Sequence, residues 1–99
     1  MGIWIANVHA VPQKGTTDFA GAKGVVVNVL ARAPSPTAYR HQVEHAVKEY
    51  GLDVVEIDDL EVFTFEESTT AEFERLSALA RKVEASGGVE FDVFYTYDE

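Results

Sequence analysis

The chain has 99 residues, seventeen acidic against eight basic side chains for a formal net charge of -9, and no cysteine. Disulfide scaffolds, thiolate nucleophiles and cysteine-ligated zinc are therefore excluded, and the negative field repels phosphate backbones and anionic membranes, so neither is expected as a partner. An apolar share of 46% and an aromatic share of 11% supply enough burial for one hydrophobic core, which predicts a single domain over residues 1–99.

The N-terminal stretch Met-Gly-Ile-Trp-Ile lacks a basic region, and Ala6 stands where a myristoylation signal carries Ser or Thr. The apolar run Val25 to Ala31 is interrupted by Asn28 and lacks a leading basic cluster, so it reads as a strand rather than a signal peptide. With cysteine absent, a reducing cytoplasm is the expected compartment.

Ile3 to Val11 is apolar on both faces and ends at Pro12, which predicts a first strand. Gln13 to Gly24 carries Gly15, Gly21 and Gly24 among polar residues and predicts a loop. Ala22 to Ala33 follows as a second strand, with Val25, Val27, Val29 and Ala31 on the core face. Ser35 before Pro36 gives a helix N-cap, and Tyr39, Val43, Ala46, Val47 and Tyr50 recur at helical spacing up to Gly51. Leu52 to Glu67 is strand-like again. The Asp58-Asp59 pair within it fits either a tight hairpin turn or a bulge in one longer strand, and the hairpin is the reading taken here.

Thr69 with Glu72 three positions on forms a capping box for a second helix lined by Phe73, Leu76, Leu79, Ala80 and Val83, which Gly87-Gly88 stops. Val89 to Tyr97 alternates as a final strand. The resulting order, ββαββαβ, predicts an α+β, ferredoxin-like two-layer sandwich: an antiparallel sheet with both helices on one face. Its other face would carry Val26, Leu30 and Phe94, too apolar to stay wet, so a homodimer is expected.

Several strings invite chemistry. His41-Gln42-Val43-Glu44-His45 matches the H-x-x-E-H pattern of inverzincin peptidases, and histidines at i and i+4 share a helix face. The chain lacks the length for such a chamber, however, and the apolar positions turn His41 and His45 outward, so no metal or other cofactor is expected. His9 on the first strand is the candidate general base, but nothing adjacent in sequence serves it as a partner. The glycines fit neither a Walker loop nor a dinucleotide fingerprint, and no serine stands in a nucleophile elbow.

Acidic residues cluster twice, at Glu56, Asp58, Asp59 and Glu61 and again at Glu66 and Glu67, without the spacing of a calcium loop. Carboxylates at a turn tip steer and pair Lys or Arg, so these six residues are the candidate partner-binding set. The expectation is a non-enzymatic domain that binds a basic protein, as an inhibitor or immunity-type protein does. The alternative is a small dimeric enzyme or small-molecule-binding domain that uses His9, Tyr95 or a buried carboxylate as acid or base.

Overall fold

Ile3 to Val11 and Val25 to Ala31 are largely apolar on both faces, and the fold places them at the centre of its sheet, where α1 covers one face and α2 part of the other. The computed structural model describes residues 2–13, 23–64 and 70–97. In chain order the elements are β1 (Gly2–Pro12), β2 (Gly24–Ala33), α1 (Pro36–Glu49), β3 (Leu52–Val62), α2 (Ala71–Ser86), β4 (Val89–Phe91) and β5 (Tyr95–Tyr97). The strands form one antiparallel sheet in the order β3-β1-β2-β4, with β5 pairing β2 beyond β4. The chain is thus α+β with an antiparallel sheet and two helices, but its order is ββαβαββ rather than ββαββαβ.

The helices lie on opposite faces, which corrects the expectation that both share one. Tyr39, Val43 and Val47 of α1 pack on Val25, Val27 and Val29, while Ala80 and Val83 of α2 pack on Ile3 and Leu30. Side chains alternate across a strand, so the odd and even positions of β2 enter separate cores. Each Val or Leu buried here is worth about 1.5–3 kcal/mol. Leu30 is fully buried under α2, and Phe94 packs into the α1 core. Of the three residues that argued for a second copy, Leu30 and Phe94 are thus packed within the chain, on opposite faces of the sheet, and Val26 stays half-buried.

Ser35 caps α1 as expected, its hydroxyl accepting from Ala38 N–H at 3.2 Å. Gly51, at φ 76°, takes the chain out of the helix in the left-handed region that glycine adopts without cost. The buried Tyr39 hydroxyl donates to the Val29 carbonyl at 2.7 Å, and burial pushes its pKa well above the ordinary value. The cap of α2 is Thr70, whose hydroxyl accepts from Phe73 N–H at 3.2 Å. That shifts the start one residue from the expected Thr69, which lies outside the described residues. Gly87, also left-handed at φ 73°, ends α2. Among the described residues no helix is long and apolar enough to cross a membrane.

The supposed hairpin at Asp58-Asp59 is a bulge inside the single strand β3, and Asp59 sits there at φ 56°. Aspartate tolerates the left-handed region better than most residues, so the extra residue is absorbed without a turn. A second irregularity falls where His9 pairs Glu56 and Ala10 pairs Val54, leaving Val55 over. The final strand is likewise broken. Phe91 pairs Val29 but Tyr95 pairs Val26, one residue more than regular pairing allows. The extra residue reverses the alternation, so Phe91 and Phe94 both join the α1 core, while Tyr95 and Tyr97 lie on the α2 face.

Candidate binding edge and polar sheet face

Among the described residues, strand β3 pairs β1 along one side only, and its other side is an open sheet edge. Open edges invite pairing with other chains, and bulges and charges are the usual means of blunting them. Both operate here. The two irregularities interrupt the ladder, and Glu56, Asp58, Asp59 and Glu61 all stand exposed along the strand. Four of the six expected partner-binding residues are thus gathered on one edge. Glu66 and Glu67 lie outside the described residues.

Interaction with the neighbouring Asp58, first by side-chain hydrogen bonding and then by like charge, raises the Glu56 pKa above the usual carboxylate value, and the proximity of His9 offsets this only in part. Among the described residues no Lys or Arg makes an ion pair with a carboxylate of β3. Arg40 of α1 lines the same groove as Glu56 without pairing it. Among the described residues, then, the edge presents crowded negative charge that no Lys or Arg pairs.

Next to this edge, the part of the sheet face that α2 leaves uncovered is polar. His9 pairs Glu56 of β3 on one side and Val26 of β2 on the other. Its Nε2 hydrogen-bonds the Tyr97 hydroxyl, with the ring centres 5.3 Å apart. Tyr97 rests directly on Gly24, where a Cβ would collide with the phenol ring. His9 thus has the spatial partners that its neighbours in sequence did not offer.

Farther along the same face, Asn7 donates to the Asn28 carbonyl oxygen at 3.3 Å. Asp92 N–H donates to the Asn28 backbone carbonyl at 2.9 Å, and the Asp92 carboxylate accepts two bonds from Arg75 of α2, at 2.5 and 3.1 Å. Burial of Asp92 favours its neutral form. The Arg75 hydrogen bond, the Val93 N–H, the Arg75 charge and Asn28 outweigh burial and hold its pKa below the ordinary value. Sequence reasoning did not find this network, because Asp92 reads as one polar residue of an alternating strand. The pair serves to bolt α2 to the link between β4 and β5.

His41 and His45 are exposed on α1, and the His45 ring faces Glu49 one turn on, at 3.4 Å. Among the described residues no three His, Asp or Glu side chains come together as a metal site would require. The remaining large concavity lies elsewhere, between the C-terminal end of α1 and β4, with a volume of about 600 Å³ and walls that include Tyr50, Phe91 and Phe94.

Compared with protein-family models, with curated proteins and with solved structures, the chain matches none.

Proposed function

We propose that this chain is a non-enzymatic protein-binding domain whose β3 edge engages a basic partner protein, in the manner of an inhibitor or immunity-type protein. The observation that carries the reading is the Glu56–Asp58 pair. Two neighbouring carboxylates whose interaction disfavours the ionised form of Glu56, with Asp59 and Glu61 alongside, gain from any Lys or Arg brought to them. The bulges argue against strand addition at this edge, so the contact is made by side chains. A net charge of -9 steers a basic partner toward it from a distance.

The test is capture from the native cell extract at low and moderate salt, using the wild-type domain beside a Glu56→Gln, Asp58→Asn, Asp59→Asn, Glu61→Gln variant. Expected is a basic protein recovered stoichiometrically by the wild type, released by salt and absent from the variant. Recovery of that protein by the variant, or of nothing but the domain's own copies, overturns the reading.

The alternative of a small enzyme or ligand-binding domain draws its support from His9, held by Tyr97 beside Glu56. The cleft between Asn7, Asn28 and α2 on the same sheet face has a volume of only about 280 Å³, and the groove lined by Glu56 about 360 Å³, at the low end of the range for small-molecule sites. An effect of His9→Gln on partner capture would draw His9 into the same interface.

A further inference from the structure

The groove between α1 and β4 lies at the edge of the sheet opposite β3, so its chemistry stands apart from the proposed partner edge. Its aromatic wall is continuous. Tyr50 meets Phe91 edge-on at 5.0 Å and Phe94 at 5.5 Å, and the two phenylalanines stack at 5.5 Å. Tyr50 remains 41% exposed, so a π surface is open to a ligand. The one-residue insertion before β5 creates this wall by bringing Phe94 onto the same face as Phe91.

The remaining lining sets the sign of the ligand. Glu49 and Glu90 line the groove, with His45 beside Glu49 at 3.4 Å, and among the described residues no Lys or Arg does. Tyr50 caps the C-terminal end of α1, where the helix dipole presents partial negative charge. An anion meets repulsion from all three sources, and a neutral apolar molecule gains only from the rings. A cation with an apolar body gains from the π faces, both carboxylates and the dipole together. We infer that this groove is a binding site for a small organic ammonium ion, whose alkylated head lies against Tyr50, Phe91 and Phe94 and whose charge is balanced by Glu49 and Glu90.

The test is a heteronuclear NMR titration of the full chain with choline and with its neutral carbon isostere, dimethylbutanol. Choline should shift the amides of residues 45–50 and 87–94 in a saturable way, and the isostere should bind roughly tenfold more weakly. Phe94→Leu should weaken choline binding several-fold and leave the isostere nearly unchanged. Glu90→Gln leaves the rings in place and should also weaken choline, which keeps the test decisive if Phe94→Leu does not fold. Equal affinity for the two compounds, or choline shifts spread along β3 and unaltered by either variant, overturns the assignment. The quadruple β3 variant should still bind choline, so this inference and the partner-edge reading fail separately.

Discussion

Asp92→Ala tests whether the Arg75–Asp92 pair is what fixes α2 to the sheet. The Asp92 side chain is 2% exposed and accepts two hydrogen bonds from Arg75, while the Arg75 side chain is 41% exposed. Breaking a fully buried pair costs about 3–5 kcal/mol. Water reaches the arginine here and rehydrates it, which lowers the expected loss to about 2 kcal/mol. For a domain of this size that is a fall in melting temperature of roughly 8–16 °C. The pH dependence is more specific. Because the folded pKa of Asp92 lies below its unfolded value, its contribution is complete above about pH 3.9 and fades as pH falls through the folded pKa. Urea unfolding followed by circular dichroism should therefore separate wild type and variant at pH 7 and bring them together in strong acid. A loss below about 0.5 kcal/mol at pH 7, or a difference that persists unchanged in acid, would refute the reasoning.

Four further outcomes are expected. Asp58→Asn removes the like charge beside Glu56, so the Glu56 titration, followed by NMR, should move down toward the ordinary carboxylate value. Gly24→Ala drives a methyl into Tyr97 and should cost about 1–3 kcal/mol in urea unfolding, with the largest amide shifts in residues 95–97. Ser77 has a buried hydroxyl with no hydrogen-bond partner among the described residues, so Ser77→Ala should raise stability by about 1 kcal/mol in the same assay. Tyr39→Phe leaves the buried Val29 carbonyl without its donor and should lower stability by about 1–2 kcal/mol.

What the sequence made legible was local. Ser35 with Pro36, and the glycines at 51 and 87, marked helix ends because capping and left-handed backbone are decided by a few adjacent residues. The placement of α2 was not local. Its apolar stripe fits either face of a sheet, and a ferredoxin-like order assigned it to the wrong one. A signal against that assignment was present: Val25, Val26 and Val27 followed by Val29, Leu30 and Ala31 leaves little polar surface on either face, the mark of a strand covered on both sides. The Asn28–Asp92–Arg75 network had no such signal, since it joins residues from β2, the β4–β5 link and α2 that share no spacing.

The bulges were legible in a different way, through the interval between apolar residues. Leu52, Val54, Ile57 and Leu60 all face the α1 core, at spacings of two, three and three. A regular strand returns a side chain to one face every second residue, so each interval of three contains one extra residue. The two long intervals in β3 coincide with the register shifts beside Val55 and Asp59. Phe91 and Phe94 repeat the pattern at the other edge. In β3 the extra residues fall among acidic side chains and blunt a charged edge, whereas in the β4–β5 link one extra residue brings a second phenylalanine onto the groove. Deleting Val93 would shorten the interval from Phe91 to Phe94 from three residues to two, so regular alternation would keep both rings on the α1 face, with Phe94 opposite Val27. Choline binding should therefore survive the deletion while the sheet persists by circular dichroism, and lost binding would show that the groove depends on the bulged backbone itself.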